Sequence, residues 1–463
     1  MNFERTLGLV LCCTLLAAPA RAQIQAAPET DGNRQLSVTV YNQDIALVRE
    51  ERSIHLAGGR STLRYADVAA QIDPTSVHLI PVSGGDFRVL EQNFQYDLVS
   101  GDRLLERSLE GTVRVVGKDG GVSEGKLLSF DGGSIVIDTK DGIKILNRSE
   151  TRELSVTQLP GGLISRPTLA WLVDAQGAGS RRTRLSYLTN GLSWHAEYVA
   201  VVNPEDTGLS LGGWVSIENH SGATYPETKL KLVAGDVQLV RQVFAKYAAG
   251  MRTDMMAAEA APPPFAERGF FEFHLYDLQR PTTIADRESK QISLFEPADV
   301  KNVEKKYTFD AERLGNKVNV TLEFKNAQAS GLGMPLPAGT VRVYKQDKDG
   351  SQEFVGEDRI DHTPQDEKVR LALGKAFDVV AERKQTNFRR ISDKVTESSW
   401  EIDVRNRKKE RVTVIVIEHP QGDWEITQKS SDFTKKDAQT VEFPVTIEAG
   451  GEGKLTYTVR TQS

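Results

Sequence analysis

Apolar and polar residues alternate with a period of two along most of this chain, and helical periodicity is scarce. Lys317 to Phe324 reads Lys-Val-Asn-Val-Thr-Leu-Glu-Phe, and Ser399 to Asn406, Arg411 to Glu418, Val441 to Ile447 and Lys454 to Arg460 alternate in the same way. Successive side chains of a strand point to opposite faces, so this pattern builds sheets with one dry and one wet face. The expected fold class is therefore all-β, in several β domains, with little helix after the N-terminal segment.

That N-terminal segment differs from the rest. Arg5 precedes an apolar run from Leu7 to Ala18, and Ala20-Arg21-Ala22 follows as an A-x-A site. This is the pattern of a cleaved export signal, residues 1–22, with Gln23 as the expected first mature residue. The run is too short to span a bilayer, which takes roughly 20 apolar residues. No small residue precedes Cys12, so a lipoprotein signal is not expected. Both cysteines, Cys12 and Cys13, lie in this segment. Export normally permits disulfides, and small exported domains often need them; here the domains must stand on packing alone, and thiol catalysis and cysteine metal sites are excluded. Removing Arg5, Arg21 and Glu4 with the segment moves the formal charge from −6 to −7. A nucleic-acid partner needs a basic face and is not expected. No later stretch is apolar enough for a transmembrane helix.

The turns divide the remainder. Residues 32–108 form a first β domain, with strands at Leu36 to Tyr41, Ile45 to Val48, Ser61 to Tyr65, Val77 to Val82 and Phe87 to Leu90. A short helix over Asp102 to Leu109, capped by Asp102, closes it. Residues 109–157 read as a small barrel. Its strands Thr112 to Val116, Ser123 to Phe130, Ser134 to Asp138 and Ile143 to Leu146 are separated by Asp119-Gly120, Asp131-Gly132 and Asp141-Gly142, pairs suited to tight hairpins. The pattern resembles five-stranded barrels of the Sm and SH3 type. Residues 158–240 read as an Ig-like β-sandwich, whose core would absorb Trp171, Tyr187, Trp194, Tyr198, Trp214 and Tyr225. Residues 241–270 carry an Ala/Met-rich run and Pro262-Pro263-Pro264 and read as a flexible excursion. Residues 271–395 continue the sandwich, with Phe271 to Tyr276 as one strand, and residues 396–463 form a C-terminal sandwich. The charged run Asn406 to Arg411 reads as a solvated loop tip.

Several strings in this order resemble a known family. They include Val40-Tyr41-Asn42-Gln43, Val89 to Phe94, Leu185 to Thr189 running into Gly191-Leu192-Ser193-Trp194, Gly213-Trp214, Leu230 to Asp236, Pro335 to Gly339 and Gly422-Asp423-Trp424. Together they resemble the bacterial exported family known as domain of unknown function 4139, related to the mucoidy-inhibitor-A-like proteins. The resemblance implies an all-β exported protein and carries no catalytic residues with it. Those relatives resemble a β domain interrupted by a coiled coil; here the corresponding place is held by residues 109–157, without heptads.

Candidate chemistry is thin. Gly208-Leu209-Ser210-Leu211-Gly212 matches the nucleophile-elbow string, but an elbow needs a helix after the turn, and strand pattern continues instead. Ser193, His195 and Glu197 share one strand face. Same-face neighbours sit roughly 6.5–7 Å apart, too far for a base to reach its nucleophile. The trio is expected to be an outward polar face. The seven histidines, His55, His78, His195, His220, His274, His362 and His419, show no metal spacing. Asp347, Asp349, Gly350 and Glu353 only faintly resemble a calcium loop and suit a hairpin turn. Catalytic, cofactor-binding and metal residues are therefore assigned to none. The expected function is a non-enzymatic binding or scaffold protein, periplasmic or secreted, with envelope proteins or polysaccharide as partners. The alternative is a hydrolase of envelope glycan or peptide with unassigned carboxylates. An outer-membrane barrel fits poorly, because the strands are charge-rich and the chain ends without a girdle aromatic.

Overall fold

Alternation dictates strands, and strands are what form: the computed structural model contains one α-helix, Gly101–Arg107, among its described residues, and is otherwise built of β-sheets. The described residues are 24–25, 34–96, 100–156, 166–235, 237–238 and 265–462. The expected export segment 1–22 and residues 241–264 of the expected excursion lie outside them. No helix among the described residues is long and apolar enough to cross a membrane.

Two compact units interleave along the chain. The first comprises Met1–Leu36, Val48–Thr189 and Ser221–Ala223; the second comprises Ser37–Leu47, Asn190–His220 and Thr224–Ser463.

In the first unit, Thr168–Ala175 lies between Gly59–Ala66 and Phe87–Gln95, antiparallel to both. Trp171 is fully buried there, edge-on to Tyr65 at 5.8 Å between ring centroids. Its indole N–H donates to Gln92 Oε1 at 2.9 Å, so burial leaves no orphan donor. Gly179–Asn190 pairs antiparallel with His78–Ser83.

The same unit holds a five-stranded antiparallel sheet. Its order is Gly142–Asn147, Ser134–Thr139, Val122–Phe130, Thr112–Gly117 and Thr151–Val156, so the fifth strand returns beside the first. The Asp-Gly turns form as expected: Asp131 Oδ1 accepts from the N–H groups of Gly133 and Ser134, both at 2.7 Å. Leu105 of the helix joins Val113, Leu127 and Ile137 in a small core. The helix cap is Ser100, whose hydroxyl accepts from Arg103 N, and not Asp102. Asp102 instead lies in the first turn, where its charge favours the helix dipole, and pairs with Arg148.

The second unit carries a five-stranded sheet ordered Glu288–Lys301, Gly208–Asn219, Leu192–Val202, Gly339–Gln346 and Gln352–Ile360. Only the pairing of Leu192–Val202 with Gly339–Gln346 is parallel. Its inner face buries Trp194 and Tyr198, which reach polar partners at Val233 O (3.1 Å) and Pro337 O (2.7 Å). A second layer contains Tyr225–Ala234, parallel to Gln35–Tyr41 on one side and antiparallel to Phe273–Leu278 on the other. Tyr276 from this layer meets Trp194 at 6.2 Å.

Two sequence expectations change here. Phe265–Phe270 is a strand with Phe265 buried, so this end of the expected excursion is ordered sheet. Phe271 to Tyr276 is not one strand either: Phe271, at φ 59° and 89% exposed, occupies a turn between Phe265–Phe270 and Phe273–Leu278. Aromatic alternation hid a hairpin whose turn residues are themselves bulky.

The rest of the unit is a sandwich of two sheets on one core. One sheet is ordered Lys368–Lys375, Asn319–Lys325, Glu304–Phe309, Val412–Glu418, Thr440–Ile447 and Thr434–Asp437. The other is ordered Val379–Arg390, Val395–Asn406, Glu452–Gln462 and Asp423–Lys429. Phe309, Ile402, Val414, Phe443 and Leu455 pack between them. The four strands read as a C-terminal block are therefore divided between both sheets, and their partners begin near residue 304 rather than 396.

Candidate functional site

The strand Leu192–Val202 buries Leu192, Trp194, Ala196, Tyr198 and Ala200, and so must turn Ser193, His195, Glu197 and Val199 outward. That places the trio on an open sheet face, as its spacing implies. His195 Nε2 lies 3.2 Å from Glu197 Oε1, and Glu197 Oε2 is bound by Arg342 from the neighbouring parallel strand. Arg342 also lies 3.5 Å from Glu357. The carboxylate of Glu197 is thus bound by Arg342 on one oxygen, faces His195 with the other and is only 15% exposed. His195 stands beside a carboxylate here.

Ser210 is the third residue of Gly208–Asn219, and strand continues for nine residues after it, so the elbow geometry does not form. Asp347 and Asp349 make a hairpin turn. Asp347 N donates to Ser351 O, and Asp349 Oδ1 accepts from Ser351 N, both at 2.9 Å. Among the described residues, no group of three His, Cys, Asp or Glu side chains could hold a metal ion. Of the histidines, His419 is buried and bonds Asp310 Oδ2 through Nε2 at 2.9 Å. His274 meets Glu267 at 2.7 Å.

One aromatic departs from expectation. Trp171, Tyr187, Trp194, Tyr198 and Tyr225 are core residues, but Trp214 is 43% exposed. Its strand buries Leu209, Leu211, Val215 and Ile217, and the parity of those positions puts Trp214 on the opposite face. The signal was present in the sequence. It was masked by the assumption that clustered aromatics share one core.

Trp214 stands at the middle of the sheet face. Its cross-strand neighbours are Glu197 on one side and Ser293 on the other. The next rung holds Gln291, Ser216 and His195, and Thr340 lies beyond Glu197. Directly opposed residues in a sheet share a face, with Cβ atoms about 4.5–5.5 Å apart. The result is an array of hydroxyl, amide, carboxylate and imidazole groups beside one exposed indole, in which Ser216 is buried and Gln291 exposed. Gly213 supports it from behind: a Cβ there would stand 2.3 Å from the Phe295 ring, so the backbone approaches that ring as only glycine permits.

Other ionisable clusters have structural geometry. Glu323 is ringed by Lys306, Lys368 and Arg370. Glu418 is buried against Arg383 and Tyr457. No protein-family model matches this chain, and a search of curated proteins finds none that matches.

Proposed function

We propose that this is a non-enzymatic binding protein of the bacterial cell envelope, and that the Trp214 face is its contact surface for polysaccharide. The observation that carries the reading is the exposed indole at the centre of a polar sheet face. An indole offers a broad apolar plane at little conformational cost, and the surrounding polar groups fix orientation. A pyranose ring has matching chemistry, with an apolar C–H face and a rim of hydroxyls. Glu197, bound by Arg342 and beside His195, is a rigid acceptor for such hydroxyls, and Ser293, Gln291 and Thr340 add further polar groups. The export segment and the family resemblance support the envelope setting.

An exposed sheet face suits binding better than turnover, because catalysis needs groups converging on a reacting atom. The test is retention of purified chain on insoluble envelope polysaccharide, with Trp214→Ala beside it. The expected result is retention that falls about tenfold or more in the variant, with unchanged circular dichroism. Equal retention of both proteins, or none of either, overturns the reading. Release of new sugar ends from the polymer favours the hydrolase alternative instead.

A further inference from the structure

Elsewhere in the second unit, a groove of about 350 Å³ opens where the strands Gly339–Gln346 and Gln352–Ile360 approach the C-terminal sandwich. Its walls are apolar: Val202, Val320, Leu322, Val355, Leu373 and Phe377 line it. Phe377 is 95% exposed and Val355 40%, so this apolar surface faces solvent. One end is different. Lys305, Lys345 and Lys408 converge there around Asp206 and Tyr307, and Asp378 also lines the groove.

The hydrogen bonds at that end are unevenly shared. An ammonium has three donors. Lys345 uses all of hers on Asn203 O, Pro204 O (2.8 Å) and Asp206 Oδ1 (2.6 Å). Lys305 bonds Asp206 Oδ2, and its next acidic neighbour, Glu410, is 3.8 Å away. Lys408 bonds Glu410 at 2.8 Å. Lys305 and Lys408 both lie near the Tyr307 ring, at 5.9 and 5.6 Å from its centroid. Two ammoniums therefore stand near one ring at the end of an apolar groove, with Glu410 Oε1 2.8 Å from Lys408 and 3.8 Å from Lys305. Burial alone would lower both lysines, but Asp206 on Lys305, and Glu410 with Tyr307 on Lys408, raise them, so both stay charged.

We propose that the groove binds a single-chain fatty carboxylate. The head group takes one oxygen to Lys305 and the other to Lys408 above Tyr307, and the chain lies over Leu322, Leu373 and Phe377. Lys305 and Lys345 already grip the two oxygens of Asp206 in the same way, so the end of the groove is shaped to a carboxylate. Pockets of about 300–1,000 Å³ with apolar walls and a few placed polar groups are the usual form of small-molecule sites. This assignment is independent of the Trp214 face.

The test is calorimetric titration of the whole chain with laurate below its micelle concentration. Dodecanol, dodecyltrimethylammonium and dodecyl phosphate serve as matched chains. Laurate is expected to bind one per chain, about tenfold or more tighter than the alcohol or the cation. The K305Q/K408Q double variant should lose about tenfold or more. Phe377→Ser leaves the lysine network untouched and should weaken laurate several-fold, so the test survives if the double variant misfolds. No laurate binding by the folded chain, or equal binding of all three head-group charges, makes the lysines a structural staple and overturns the proposal. Binding unchanged in both variants does the same. Tighter dodecyl phosphate than laurate overturns the carboxylate assignment.

Discussion

Arg383 grips the buried carboxylate of Glu418 from two nitrogens: Nε lies 3.1 Å from both oxygens and Nη2 lies 2.7 Å from Oε2. The same guanidinium lies 3.4 Å over the Trp400 ring, and the Tyr457 hydroxyl donates to Glu418 Oε2 at 2.5 Å. An ion pair inside a sandwich core is specific but gains little net stability, because both charges lose their water. Removing one partner is another matter. Arg383→Leu should cost about 3–5 kcal/mol at neutral pH, since it strands a buried carboxylate. Burial already pushes the Glu418 carboxyl up, against the hydrogen bonds from Arg383. A carboxyl raised in the folded state contributes stability at low pH that is lost as pH rises. The penalty of Arg383→Leu should therefore shrink as pH falls toward the ordinary carboxylate range. Urea unfolding at pH 7 and pH 4.5 checks this. The double variant R383M/E418L should recover more than half the loss, and a loss as large as that of the single variant would refute the account.

Glu323 shows the opposite sign. Burial would raise its carboxyl, but hydrogen bonds from Lys306 and Lys368 and the charge of Arg370 take it down to about 2. A carboxyl lowered in the folded state contributes stability above its unfolded value, lost as pH falls through the folded one. Glu323→Gln should therefore destabilise the chain at pH 7 by about 1–2 kcal/mol, a figure reduced because Lys368 and Arg370 are themselves largely exposed. The difference from the parent chain should close between pH 4.5 and pH 2. Unfolding midpoints across that range measure it, and a gap that persists at pH 2 assigns the loss to packing rather than charge.

Local pattern and long-range assembly differed in how far they could be read. Lys317 to Phe324 was legible as a strand, and Asn319–Lys325 is one, because alternation reports which face of a strand is wet. Pairing is not local. Leu192–Val202 lies parallel to Gly339–Gln346 across more than a hundred residues, and no turn sequence marks that choice. In the run Asn406 to Arg411, Arg407, Lys409, Glu410 and Arg411 are exposed as expected, but the first residue is not. Asn406 is fully buried, donating to Glu410 O at 2.7 Å and Glu448 O at 3.0 Å, and so fixes the loop that carries Lys408. Its charged neighbours concealed a polar residue whose partners are backbone carbonyls. Lys305, Lys345 and Lys408 meet only through the tertiary fold, so the groove had no sequence signal. Trp214 did have one, in the parity of Leu209, Leu211, Val215 and Ile217.

Gly212 and Gly213 are adjacent, yet they should behave differently. A Cβ on Gly213 would meet the Phe295 ring at 2.3, 2.8 and 2.9 Å, whereas one on Gly212 finds only Pro297 Cγ at an ordinary 3.7 Å. The register shifts on both sides of Gly213 show the strand already bent to make this approach. Phe295 packs against Tyr198 at 6.3 Å between ring centroids, so it has little room to yield. Overpacking of this kind typically costs about 1–3 kcal/mol. Gly213→Ala should lower stability by that amount and, by shifting the strand beneath Trp214, weaken retention on polysaccharide. Gly212→Ala should change stability by no more than about 0.5 kcal/mol and leave retention intact. Thermal unfolding and retention measured on the two variants side by side separate the cases. Equal destabilisation of both would mean that the close approach to Phe295 does not govern this strand.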